Sequence, residues 1–144
     1  MSYLKIKDDG TLEYPYSLIN LRNDNPNTSF PQKMSDALLQ EWDVYPVKIY
    51  PKPIYDPLVQ VAMMSQPFRV NEEWAVTYSV ENLPENIASD NVRNKRNELL
   101  SECDWTQLPD APVDKEAWAA YRQQLRDISE QPDFPYQVNW PTKP

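Results

Sequence analysis

The sequence predicts an α+β protein: a small antiparallel β unit with Pro-rich loops, followed by an αα-hairpin and an extended C-terminal tail. Three observations carry that reading. Apolar and polar residues alternate with period two on both sides of the lone glycine, Gly10. From Glu85 to Leu108 there is no proline, and a second run from Asp114 repeats apolar residues at helical spacing. From Asp133 onward, Phe134, Tyr136, Val138 and Trp140 recur at every second residue in a stretch that also holds Pro135, Pro141 and Pro144. The expected division is residues 1–83 for the β unit and 84–144 for the helices and tail.

The glycine fixes the first element. Tyr3-Leu4-Lys5-Ile6-Lys7 and Thr11-Leu12-Glu13-Tyr14 flank Asp8-Asp9-Gly10. Directly paired residues share a sheet face. A two-residue loop would set Ile6 against Glu13, whereas a loop of Asp8 to Gly10 pairs Ile6 with Leu12, Leu4 with Tyr14 and Lys5 with Glu13. That loop needs its last residue in the left-handed region, which glycine tolerates. A hairpin is predicted.

From Tyr16 to Pro57 turn formers dominate, and Asn23-Asp24-Asn25-Pro26-Asn27 cannot continue a helix. Ser35-Asp36 reads as a helix start for Ala37 to Trp42. Val44 to Tyr50 reads as a strand ended by Pro51 and Pro53. Val59 to Ser65 and Glu73 to Val80 read as two more strands, with Pro67 to Asn71 joining them. Pro84 then suits a first helical turn. Ala88, Val92, Leu99 and Cys103 form the stripe of the first helix. Trp105 to Val113 connects, and Asp114 caps a second helix carrying Trp118, Tyr121, Leu125 and Ile128.

Composition removes whole classes of chemistry. There is 1 glycine in 144 residues, where an average chain would hold about ten. Gly-rich phosphate loops, dinucleotide fingerprints and nucleophile elbows are therefore absent. With no histidine, Ser-His-Asp triads and H-E-x-x-H zinc sites are absent too. The net charge of -8 repels nucleic acid phosphates. Cys103 is alone, so no intrachain disulfide forms and a reducing compartment is expected. The start, Met1-Ser2-Tyr3-Leu4-Lys5, does not resemble a signal peptide, and apolar runs are too short to span a membrane. The expectation is a soluble protein, intracellular at synthesis, not an enzyme, with no cofactor, no metal, no nucleic acid partner and no membrane insertion.

Each chemical candidate has a structural competitor. Cys103 lies on the helical stripe beside Glu102 and Asp104 and reads as a packing residue. The carboxylate pairs Asp8/Asp9, Glu72/Glu73 and Asp110/Asp114 suggest acid–base chemistry but fall in turns or a cap. Asn23-Asp24-Asn25 is a fragment of a calcium loop without its glycine or its terminal acid. Trp74 and Tyr78 on one strand face, and Trp118 and Tyr121 at helical spacing, read as core. Tyr136 and Trp140 suit either a partner interface or a strap across the chain's own surface. Arg93, Arg96, Arg122 and Arg126 read as a solvated face paired with Glu98, Glu102 and Asp127.

Residues 93 to 141 carry a more specific pattern. It runs Arg93-x-x-Arg96-Asn97-x-Leu99-Leu100, Cys103-Asp104-Trp105-Thr106-Gln107-Leu108, Asp110-Ala111-Pro112, then Trp118-x-x-Tyr121-Arg122-x-x-Leu125-Arg126-Asp127, closing on Gln131, Phe134-Pro135 and Trp140-Pro141. This resembles the tail assembly chaperone family of tailed bacteriophages, which commonly has Thr where Cys103 stands. Tyr14 to Leu18 and Asn27 to Pro31 resemble the N-terminal half found with this module in some phage proteins. The resemblance implies a viral tail protein without an active site, working through contacts with other tail or fibre proteins. Trp105, Arg122, Arg126, Phe134, Tyr136 and Trp140 are the partner-interface candidates.

Retention in the particle is the first expectation: a structural adaptor of the virion tail, present in multiple copies in a symmetric assembly. Unpaired strand edges would add strands across subunits, and proline fixes extended segments at low ordering cost. Two alternatives stay open, a transient chaperone confined to the host cytoplasm during assembly and a glycan-binding tail protein.

Overall fold

A computed structural model describes residues 2–144. It is mixed α+β, with small sheets and several helices, and its contacts divide it into two units. The first comprises Met1–Pro53 and Ala62–Ser79, the second Ile54–Val61 and Val80–Pro144.

The first unit is built on a five-stranded sheet. Its strands are β1 (Ser2–Ile6), β2 (Leu12–Tyr16), β3 (Val44–Ile49), β5 (Phe68–Val70) and β6 (Glu73–Val76), in the order β2-β1-β3-β6-β5. The β1–β2 loop is the expected one. The Gly10 N–H bonds the Lys7 carbonyl at 2.8 Å, Lys7 N–H bonds the Thr11 carbonyl at 2.9 Å, and Gly10 has φ 81°. Ile6 faces Leu12 and Lys5 faces Glu13, as face matching requires. Beyond them the register shifts, so that Tyr3 faces Tyr16 and Leu4 meets both Tyr14 and Pro15. Proline lacks the ladder N–H, and a bulge is where a strand accommodates it.

The expectation of a wholly antiparallel unit is corrected by β3 and β6, which run parallel with Val47 opposite Trp74. A parallel pair needs a crossover of about a dozen residues or more, and the chain between Ile49 and Glu73 is long enough. The expected strand from Glu73 to Val80 breaks at Thr77. Its first part is β6 and its second is β7 (Tyr78–Asn82), which pairs instead with β4 (Gln60–Met64). Thr77 itself bonds Ser65, donating its N–H to Oγ at 3.1 Å and accepting the Ser65 N–H at 2.8 Å. Trp74 and Tyr78 therefore do not share one strand. The expected Pro67–Asn71 connector contains β5, turned onto β6 through Asn71 and Glu72 at φ 47° and 68°.

Two helices join this sheet. The expected one is α2 (Asp36–Gln40), where Ser35 Oγ accepts the Leu38 N–H at 3.2 Å. The other, α1 (Leu18–Asp24), is unpredicted and is capped by Ser17, which accepts the Asn20 N–H at 3.1 Å. The Asn-rich run is its end: Asn25 Nδ2 donates to the Leu21 carbonyl at 2.9 Å. Leu21, Leu39, Val44 and Tyr16 form one cluster with Phe30, Met34 and Trp42 around it. Leu4, Val47 and Val76 form another with Ile6, Tyr45 and Trp74. Strand alternation sends Val44 and Val47 to these different clusters. Tyr16 donates its phenol to Asp24 at 2.6 Å, and burial together with that carboxylate raises its pKa above the ordinary tyrosine value.

The second unit centres on α3 (Glu85–Glu102) and α4 (Lys115–Arg126). Pro84 precedes α3, and Asp114 caps α4, its Oδ1 accepting the N–H groups of Glu116 and Ala117 at 3.0 Å. Ala88 and Val92 are buried with Val59 and Ile128, and Cys103 with Trp118, Tyr121 and Leu125. Among the described residues no helix is long and apolar enough to cross a membrane.

Candidate functional site

Leu100, Cys103, Asp104, Thr106 and Arg122 of the 93–141 pattern meet at the end of α3. Its last carbonyls lack i+4 partners; Leu100 O accepts the Cys103 N–H at 3.3 Å, and Arg122 on α4 adds a second donor there. Its Nη1 donates to Leu100 O at 2.7 Å and to Cys103 Sγ at 3.1 Å, and its Nη2 donates to Asp104 Oδ1 at 2.8 Å. The Arg122 side chain is only 14% exposed. A planar guanidinium suits such a fork, and a cation at a helix C-terminus complements its dipole. Cys103 is buried and points its thiol at the Leu99 carbonyl, in keeping with a packing residue. Thr106, also buried, donates its hydroxyl to Cys103 O at 2.7 Å. A 3-10 turn, Asp104–Gln107, is thereby fixed after α3.

The C-terminal segment folds back on its own unit. Gln131 binds the Asn139 backbone from both sides, donating Nε2 to its carbonyl at 3.0 Å and accepting its N–H at 2.8 Å. Tyr136 donates its hydroxyl to Leu83 O at 2.8 Å. Phe134, Tyr136, Val138 and Trp140 pack against the Val59–Ala88–Val92–Ile128 cluster, and Trp140 also touches the Cys103–Trp118 cluster. The Phe134–Pro135 peptide is cis, and Pro135 is buried. Arg93 lies over the Phe134 ring at 5.5 Å.

Of the six interface candidates, Arg122, Phe134, Tyr136 and Trp140 are thus engaged within the unit. Arg126 is exposed and donates to Gln123 Oε1 at 2.7 and 3.2 Å. Trp105 stays 49% exposed, its ring 6.1 Å from that of Trp118. Leu108, which sequence reasoning passed over, is 55% exposed. Its spacing of three from Trp105 was the available signal, and its N–H closes the 3-10 turn onto the Trp105 carbonyl at 3.2 Å. Exposed carboxylates at Glu102, Asp104, Asp110 and Asp114 lie beside these two in the chain.

The expected arginine pairings with Glu98, Glu102 and Asp127 are replaced by others. Arg93 pairs with Asp90 at 3.7 Å, Arg96 with Asn97, and Arg122 with Asp104, while Lys95 takes Glu98. Two of the three carboxylate pairs have a member with a local duty: Asp9 accepts both the N–H and hydroxyl of Thr11, and Asp114 caps α4. Among the described residues no three Cys, Asp or Glu side chains gather as metal ligands.

No curated protein and no solved structure matches the chain. Residues 89–144, the segment from α3 through the folded-back end, match the family model of the phage tail assembly chaperone protein.

Proposed function

We propose that this protein serves the assembly of a bacteriophage tail as a chaperone acting in the host cytoplasm, through protein contacts and without catalysis. The observation that carries the reading is the family match over residues 89–144. The exposed Trp105 and Leu108 support it, because large apolar side chains beside acidic residues suit a protein partner. The C-terminal aromatics no longer favour a strap onto neighbouring subunits, since they pack on their own unit. A second reading, a resident adaptor of the virion present in multiple copies, is supported by the outer strands β2 and β5 of the five-stranded sheet.

An infection lacking the protein should yield filled heads without finished tails, and quantitative mass spectrometry of wild-type virions should find no stoichiometric copy. A fixed copy number per virion would replace the chaperone reading by the adaptor. Normal tails in its absence would overturn both.

A further inference from the structure

The first unit, outside the matched segment, holds an open cleft of about 510 Å³. Tyr45 and Trp74 line it, their ring centroids 6.5 Å apart and tilted by 57°. Because β3 and β6 pair in parallel with Val47 opposite Trp74, Tyr45 lies beyond the start of β6 at Glu73, at the end of the paired region where the cleft opens.

Three carboxylates also line the cleft: Asp36 from the first turn of α2, and Glu72 and Glu73 from the β5–β6 turn. Among the described residues none of the three forms an ion pair. The one cation lining the cleft, Lys48, has its ammonium 5.5 Å from the Tyr50 ring. The cleft thus offers aromatic walls and unneutralised negative charge. The Trp74 indole already accepts a guanidinium: Arg69, which does not line the cleft, lies 5.3 Å from the ring.

We propose that this cleft binds an arginine side chain in a basic segment of a partner protein. A guanidinium is planar and weakly hydrated, so it stacks on Tyr and Trp faces while its fork of donors meets carboxylates. The surface charge agrees, since a chain of net charge -8 attracts a basic segment from a distance. Glu72 agrees too. It keeps a carboxylate at φ 68°, a conformation glycine would adopt at lower cost.

The probe is the acetylated and amidated peptide Gly-Arg-Gly, titrated into the full chain while the Trp74 indole N–H is followed by ¹⁵N–¹H NMR. The expected result is a saturable shift at Trp74, with affinity about tenfold weaker for the neutral citrulline peptide and for the double variant Glu72→Gln/Glu73→Gln. The variant's remaining resonances should stay in place, which separates lost binding from lost fold. No Trp74 shift with the arginine peptide, equal binding of the citrulline peptide, or full binding by the folded variant would each overturn the proposal. None of these outcomes bears on the assembly role, which rests on the other unit.

Discussion

A chain ending at Asp133 loses the folded second unit. The deleted residues include Phe134, Tyr136, Val138 and Trp140, all packed on the cluster of Val59, Ala88, Val92 and Ile128. Fully burying one large apolar side chain is worth about 1.5–3 kcal/mol. These four are half-buried, so about half that value applies to each, and together they contribute about 4 kcal/mol. The Tyr136–Leu83 bond and the paired Gln131–Asn139 bonds add about 1 kcal/mol each. That total is comparable to the whole stability of a small domain, about 5–15 kcal/mol. Circular dichroism should show the helical signal of α3 and α4 lost or melting far earlier in the truncated chain. A melt within two or three degrees of the full-length protein would refute the internal role of this segment.

Replacement of Arg122 by Ala should destabilise the second unit by about 2–3 kcal/mol. Bonds to charged groups contribute about 1.5–3 kcal/mol, and without the guanidinium Leu100 O keeps only the longer bond from the Cys103 N–H at 3.3 Å. The Asp104 partner is 66% exposed, so that ion pair is screened by water and contributes little of the total. The loss falls mainly on Leu100 O and the contact to Cys103. For a chain of this size the melting temperature should fall by about 6–10 °C. Arg122→Lys should recover little, because an ammonium lacks the fork that spans three acceptors. Full recovery by lysine, or a loss below about 1 kcal/mol, would show that the guanidinium does not hold the end of α3.

How far the sequence revealed this fold depends on how local each determinant is. The β1–β2 loop was legible because a single glycine and the matching of faces leave one loop length. The caps at Ser35 and Asp114 were legible for the same reason, since side chain and orphan N–H lie within three residues. Helix α1 was not, because it is one short helix whose polar end looks like a turn cluster from either side. The direction of β3 against β6 was hidden as well. Neither strand's own pattern encodes a partner reached through a crossover.

The site divided along the same line. The repeat of Trp118, Tyr121 and Leu125 marked the buried face of α4. Arg122, in contrast, bonds residues 18 and 22 positions away, so helical spacing alone pointed to the wrong partners. Whether Tyr136 and Trp140 face inward or outward was decided by Val59 and Ala88, far away in sequence. The aromatics that looked most available for a partner are the ones the unit uses itself.

The central claim is that most of the 93–141 pattern builds the module, whereas Trp105 and Leu108 present it to a partner. Complementation of a phage lacking this protein with the double variant Trp105→Ala/Leu108→Ser tests it, with the thermal melt of the same variant alongside. Both side chains are about half exposed, so the melt should shift by only a few degrees, while finished tails fall at least about tenfold. A variant that melts like the parent and still completes tails at the parental level would contradict the claim.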